Sequence, residues 1–350
     1  MQDKFDEMYG PGLAVSDYHL DMFSGFTAFS GIIPLRSNKP ALKKPSLARR
    51  EEGLLWFISG FTDAEGCFMI KITPKPKSKI LVGWQVIPVF QILLHQRDKE
   101  LLDLIKDCLG VGRVTKVGKQ YAFTVSSLAQ ILKIINHFEK FPLITQKKAD
   151  FDLFKRIVII MSRNGHLTCE GLQEIVNIRA SLNKGLTDGL KAAFPMTTPV
   201  ARPLVTGQTV PHPEWLAGFT TGEGCFFVNV HKSSTTKTGF QIRLLFDLVQ
   251  HSRDNELIRS FIEYFKCGIF YSPKGSMAGR FQVSNFSDIV DKILPFFQKH
   301  KIMGEKGKDF SDFCEAAELM KAKKHLTKEG SDQIKKIKKG MNQGRKSINI

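Results

Sequence analysis

The feature that most constrains this chain is that it reads one passage twice. GFTDAEGCF at 60–68 returns as GFTTGEGCF at 218–226, and HQRDKELL at 95–102 returns as HSRDNELI at 251–258. FTVS at 123–126 returns as FQVS at 281–284, and HLTCEG at 166–171 as HLTKEG at 325–330. Four matches in order, at offsets of 156 to 159 residues, are not produced by composition. Residues 51–185 and 212–344 are therefore two copies of one unit. Between them, 186–211 carry Pro195, Pro199, Pro203 and Pro211 with little periodicity, which predicts an extended rather than helical linker. Residues 1–50 match neither copy and are rich in Gly, Pro and Ser, so a poorly ordered extension is expected there; 345–350 form a short tail.

Each copy has the same hydrophobic grammar. A helix comes first, with Leu54, Leu55, Phe57, Ile58 and Phe61 in one copy and Trp215, Leu216 and Phe219 in the other. Alternation then predicts a strand, Phe68, Ile70 and Ile72 against Met69, Lys71 and Thr73, with its twin Phe226, Val228 and Val230 against Phe227, Asn229 and His231. After a polar loop (74–79 or 232–239) a second strand alternates, with Phe240, Ile242, Leu244 and Phe246 inward. Asp98 is expected to cap the next helix, and two shorter strands and further helices complete an αββαββα unit. Strands with one apolar and one polar face leave the polar face of a sheet open to a wet or charged partner.

Composition indicates which partner. Fifty-one Lys and Arg against 34 Asp and Glu give a net charge of +17, a field that attracts polyanions, nucleic acid first. No apolar run reaches the length of a membrane span. The six cysteines, at 67, 108, 169, 225, 267 and 314, form no CxxC pair, which argues against a zinc finger or a disulfide scaffold and for a reducing compartment. The opening MQDKFDEMYG has neither signal-peptide nor transit-peptide character.

The first helix of each copy carries the chemistry. Gly60 and Ala64, and Gly218 and Gly222, lie four apart on one face. Gly costs roughly 1 kcal/mol against Ala inside a helix, so its use at matching places points to two helices packed backbone to backbone. Each helix ends on one carboxylate, Glu65 or Glu223, where the helix dipole disfavours negative charge by roughly 0.3–1 kcal/mol. Paired about a pseudo-two-fold, the two carboxylates and the free carbonyls of the helix ends make a hard-oxygen site suited to Mg²⁺. Divalent metal beside a polyanionic backbone implies phosphodiester hydrolysis.

The segments WFISGFTDAEGCF (56–68), EWLAGFTTGEGCFFV (214–228) and FPLITQKKADF (141–151), with the two HLT segments, resemble the LAGLIDADG homing endonucleases in their single-chain, two-motif form, and most closely those encoded in fungal mitochondrial introns. The resemblance spans about residues 51–344. It implies an α+β fold of two tandem αββαββα units whose antiparallel sheets form a DNA-binding saddle. It implies that Glu65 and Glu223 bind metal and organise water, and that the carbonyls of Ala64 and Gly222 complete the metal sites. Gln91 matches a water-orienting strand position, and its counterpart Asp247 makes the half-sites inequivalent. Lys147 and Lys306 recur at offset 159; Lys147 is a candidate for the basic residue that the resemblance implies at a half-site, with a phosphate-contacting or helix-surface role as the alternative.

On the same basis Lys71, Thr73, Gln85, Asn229, His231, Gln241 and Arg243, with loop residues Lys75, Lys77 and Lys232, would read base edges or contact phosphates. Lys335, Lys336, Lys338 and Lys339 form either a phosphate-contacting or a solvated helix face. The expected activity is Mg²⁺-dependent double-strand cleavage of a long asymmetric DNA site across the minor groove, by a monomer, in the service of intron mobility in the mitochondrion. Mn²⁺ or Ca²⁺ could replace Mg²⁺, the latter in non-cleaving complexes. Intron RNA is the alternative partner, since proteins of this fold can act as splicing maturases; retention of both Glu65 and Glu223 favours the nuclease.

Overall fold

The duplication is visible in the topology. In the computed structural model, which describes residues 47–75 and 83–345, helix α1 (Leu47–Glu65) runs straight into strand β1 (Gly66–Pro74). There follow β2 (Trp84–His95), α2 (Lys99–Leu109), β3 (Arg113–Val117), β4 (Gln120–Val125), α3 (Leu128–Lys140), α4 (Lys147–Ser162) and α5 (Cys169–Ala180). After a short α6 (Asp188–Ala193) the order recurs: α7 (Pro213–Glu223), β5 (Gly224–Lys232), β6 (Phe240–His251), α8 (Asn255–Phe265), β7 (Ile269–Tyr271) and β8 (Ala278–Val283). A helical run α9 (α over Phe286–Asp288, π over Ile289–Ile293, α over Leu294–Lys299), α10 (Gly304–Lys321) and α11 (Lys328–Gly340) complete the second half. The fold is α+β, with two four-stranded antiparallel sheets in the orders β1-β2-β4-β3 and β5-β6-β8-β7. Among the described residues no helix is long and apolar enough to cross a membrane, and all six cysteines are free.

Each sheet buries its apolar face under its own helices around one phenylalanine. Phe68 stacks on Phe90 at 5.1 Å and meets Phe138, Phe151 and Phe154; Phe226 stacks on Phe246 at 5.1 Å and meets Phe297, Phe310 and Phe313. The repeat offset is 158 at Val125 and Val283 but 159 at Phe138 and Phe297, and the extra residue falls in α9. A π turn absorbs it just before Pro295, whose missing N–H could not have continued the ladder.

Three expectations need correction. α1 begins at Leu47, so the boundary placed at residue 51 cuts into it; residues 1–46 lie outside the described residues. The linker is not extended throughout, because Thr187 caps the helix Asp188–Ala193 by accepting from the Leu190 N–H. The linker is also tied to both halves. Arg202 makes a bidentate ion pair with the buried Asp150 of α4 (2.7 and 2.8 Å), and Gln208 donates to the Ile144 carbonyl and to Asp254. In the second half Arg345, beyond α11, plays the part of Arg202 on Asp309 of α10 (2.8 Å). Asp98, third, does not cap α2 with its side chain.

The two halves are joined where α1 crosses α7. A Cβ on Gly60 would lie 1.8 Å from the Trp215 carbonyl oxygen, and one on Gly218 would lie 2.0 Å from that of Phe57. Real side chains never come so close, so only glycine permits this approach. Around the crossing, Phe57, Phe61, Trp215, Leu216 and Phe219 are almost completely buried. We expect Gly60→Ala and Gly218→Ala each to destabilise the protein by about 1–3 kcal/mol or more by forcing the helices apart, where Gly189→Ala, with open space around it, stays neutral. Thermal denaturation of the three variants checks this.

Candidate active site and nucleic-acid face

Glu65 and Glu223 are the last residues of the crossed helices, and each is followed at once by a strand. The crossing brings the two ends together. A Cβ on Gly222 would stand 3.4 Å from Glu65 Oε1, so the Glu65 carboxylate lies against the end of the opposite helix. Burial pushes the Glu223 carboxyl above its ordinary value, and the Glu65 charge pushes it further. Lys147, a hydrogen bond from Gln250 and Lys306 act in the other direction.

The two repeated lysines meet these helix ends from below. Lys147 Nζ donates to the carbonyls of Thr62 (2.9 Å) and Ala64 (3.0 Å). Lys306 Nζ donates to the carbonyls of Gly222 (3.1 Å) and Gly224. Carbonyls in the last turn of a helix, as at Ala64 and Gly222, lack a helical partner, and a cation there complements the negative end of the dipole. A helix-surface role for either lysine does not fit this placement. Burial lowers the pKa of Lys147, while Asp63, Glu65, Cys67 and Glu223 favour its charged form. The carbonyls of Ala64 and Gly222 thus already accept from ammonium groups, although each keeps a second lone pair.

Asp63, beside Glu65, is a site residue that pattern reading missed. It is buried, and accepts from the Ile144 and Thr145 N–H groups (3.0 and 3.2 Å), the Thr145 hydroxyl (2.5 Å) and Trp215 Nε1 (2.9 Å). It therefore ties the approach to Lys147 to both motif helices. Its counterpart is Thr221, which binds the Met303 N–H instead, and this unlike pair hid the shared task. Burial raises the Asp63 carboxyl from 3.8 to about 6.

The two strand positions near the acids are engaged differently. Gln91, opposite Cys67, donates to the Thr124 hydroxyl (3.1 Å). Asp247, opposite Cys225, has both oxygens occupied, by Arg280 (2.5 Å) and Gln282 (2.8 Å). Gln250 touches a motif acid: its Nε2 lies 3.2 Å from Glu223 Oε1. The repeat aligns it with Leu94, so the only signal for it was a polar-for-apolar exchange between copies.

On the solvent face of the sheets, register pairs Thr73 with Gln85, Asn229 with Arg243 and His231 with Gln241, while Lys71 stands opposite Ile87. Lys71, Thr73, His231, Gln241 and Arg243 are exposed; Gln85 and Asn229 are half-buried. Lys75 is exposed on the same alternation, and Lys77 lies outside the described residues. Lys232 is exposed at the end of β5. It pairs with Phe240, so alternation turns it to the face of Val228 and Val230. Lys335 and Lys338 of α11 lie over the rings of Phe240 (3.5 Å) and Phe227 (5.3 Å), which makes them cation–π partners as well as charges.

Among the described residues no group of three or more His, Cys, Asp or Glu side chains converges as a metal site. The donor set still fits a hard divalent cation that keeps waters. Two carboxylates repel each other across a helix crossing, and carbonyl oxygens with a spare lone pair stand beside them. Glu65, Glu223, Ala64 and Gly222 would hold such an ion, with phosphate oxygens and water completing its shell.

Two outcomes are expected. Divalent-cation affinity rises as pH rises through the elevated Glu223 pKa, because the ion competes with the proton; isothermal titration with Ca²⁺ at several pH values checks it. For Asp63 the folded state binds the proton more tightly than the unfolded chain, so its contribution to stability is full below 3.8 and is lost as pH rises through about 6. Asp63→Asn should remove that slope and cost about 1–3 kcal/mol, since the amide cannot accept from every donor now facing Asp63. Urea melts from pH 4 to 7 measure both effects.

The family model for LAGLIDADG endonuclease matches residues 58–158 and again 216–317. Two proteins of Neurospora crassa, "Probable intron-encoded endonuclease 2" and "Probable intron-encoded endonuclease 3", are each 39% identical to this chain over 303 and 283 residues, 81% and 80% of it. The chain spans 64% and 52% of their lengths. Among solved structures, the LAGLIDADG homing endonuclease I-SmaMI bound to cleaved DNA is 41% identical, with a TM-score of 0.80 over 83% of this chain and 98% of that one. I-SmaMI bound to uncleaved DNA in the presence of calcium ions is 40% identical, with the same TM-score over 82% and 98%. The match of the family model to both halves, over more than half of the sequence, shows that this chain belongs to the LAGLIDADG endonuclease family.

Proposed function

We propose that the chain is a site-specific DNA endonuclease that cuts both strands of a long asymmetric target, acts as a monomer in the mitochondrion and promotes mobility of the intron that encodes it. The observation that carries this reading is the symmetric pair Glu65 and Glu223 at abutting helix ends, each with a repeated lysine on the neighbouring carbonyls. Retention of both acids in two diverged copies supports two reacting centres, one per strand. The structures of I-SmaMI with cleaved DNA, and with uncleaved DNA in the presence of calcium ions, support DNA as the substrate and a divalent cation as the cofactor; Mg²⁺ is the ion we expect.

When bound, the cation supplies charge neutralisation on the phosphate and acidifies a water. The chain's own residues do the rest. Glu65 and Glu223 orient water toward phosphorus on the two strands. Lys147 and Lys306 hold positive charge beside the developing negative charge on the phosphate. Gln91 on one side, and the Asp247–Arg280–Gln282 group on the other, set different environments for the two centres. Lys71, Thr73, Gln85, Asn229, His231, Gln241 and Arg243 present hydrogen-bonding groups of the kinds that discriminate base edges in the major groove. Because these sets differ between the halves, the target is asymmetric. Lys75 and Lys77 contact flanking phosphates.

The test is cleavage of plasmids carrying intronless organellar genes of related fungi, with Mg²⁺ or with EDTA. A single metal-dependent cut, lowered at least about a hundredfold by Glu65→Gln and by Glu223→Gln, is the expected result. Tight RNA or DNA binding with no cut under any divalent metal would overturn the nuclease reading in favour of a splicing role.

A further inference from the structure

The proposed chemistry leaves the repeated HxRD segments, 95–98 and 251–254, without a role. Each forms a 3₁₀ corner after the second strand of its half. His95 Nδ1 accepts from the Arg97 N–H, and His251 Nδ1 accepts from the Arg253 N–H, which fixes the aspartate that follows. Neither aspartate caps the helix it precedes. Asp98 Oδ1 instead accepts from the Glu305 N–H (2.8 Å), at the start of α10 in the other half. Asp254 Oδ1 accepts from the Gln146 N–H (2.7 Å), at the start of α4 in the other half. Those two helices carry Lys306 and Lys147, each one residue beyond the capped position. Gly304 serves the first contact: its φ of +64° favours glycine, and a Cβ there would lie 2.4 Å from Asp98 Oδ1.

We propose that Asp98 and Asp254 are positioning residues that act across the pseudo-two-fold, Asp98 setting Lys306 and Asp254 setting Lys147. A carboxylate on the first turn of a helix satisfies a free N–H and complements the dipole, so it fixes where that turn, and the lysine on it, stands. Each lysine then reaches the carbonyls of the motif helix of its own half. The reacting centre of one half thus depends on a strand-to-helix corner of the other. The two contacts differ in setting. Asp254 is buried and also receives Gln208 Nε2 (2.7 Å), whereas Asp98 lines a cavity of about 420 Å³ together with Glu65, Gly222, Glu305 and Lys306. Asp98 is therefore the member to test, since its loss leaves no sealed, unpaired donor.

The proposal rests on the endonuclease reading, and the experiment separates the two. On the plasmid target found by the cleavage assay, with each strand labelled in turn, Lys306→Ala first identifies the strand that its centre cuts. Asp98→Ala should slow that same strand about tenfold, leave the other within about twofold and accumulate nicked circles, with DNA affinity unchanged. Asp98→Asn, which keeps an acceptor oxygen, should restore most of the rate. Equal slowing of both strands, slowing of the strand assigned to Lys147 by Lys147→Ala, or no effect would overturn the proposal. If the wild-type protein cuts no insert, the endonuclease reading fails, and positioning is read alone by hydrogen–deuterium exchange. Faster exchange over 302–309 in Asp98→Ala, with 143–150 unchanged, supports it; unchanged exchange at 302–309 overturns it.

Discussion

Everything chemical in this protein depends on one contact, the approach of two helix backbones at Gly60 and Gly218. With a carbonyl oxygen where each missing Cβ would be, the helices cross at a separation that no other residue allows. That crossing fixes where the helices end. Because the acids are the terminal residues, it places Glu65 against Gly222 and sets the two carboxylates close enough for the Glu65 charge to raise the Glu223 pKa. The unfavourable charge at the helix ends is offset by lysines from two other helices. Their own positions are held by aspartates from the opposite sheet corners. The order of dependence runs from a steric fact to an electrostatic one.

Much of this was legible because the chain is duplicated. Periodicity identifies the strands and their buried faces, and a repeat allows one copy to check the other; Phe68 and Phe226 come out at the centres of equivalent cores. The glycines of the crossing could be read because their helical cost is incurred twice. What could not be read has a common cause: local pattern tells which face a side chain takes, never which distant donor it meets. Asp98 has the sequence context of a cap for the next helix, yet its partner lies some two hundred residues on, at Glu305. Asp63 was hidden because its counterpart is a threonine.

The comparison of the halves also shows where divergence is tolerated. The motif helices, the central phenylalanines and the lysines are kept in kind. The strand residues next to the acids are not: a glutamine bound to a threonine in one half faces an aspartate locked by an arginine and a glutamine in the other. An inserted residue in α9 is confined to one π turn, so Phe297 still reaches Phe226. Geometry at the crossing is held rigidly, while chemistry along the sheets is free to differ.

The linker has a consequence for how the halves stand as separate bodies. Arg202 clamps Asp150 of the first half from within the linker, and Gln208 buries Asp254 of the second, whereas Arg345 serves Asp309 from beyond the last helix of its own half. Divided between residues 193 and 202, the two pieces would be unequal. The amino-terminal one would leave its buried Asp150 without its ion-pair partner, while the carboxy-terminal one would keep every ion pair it now has at Asp309. Autonomy is thus distributed unevenly between two units of the same descent.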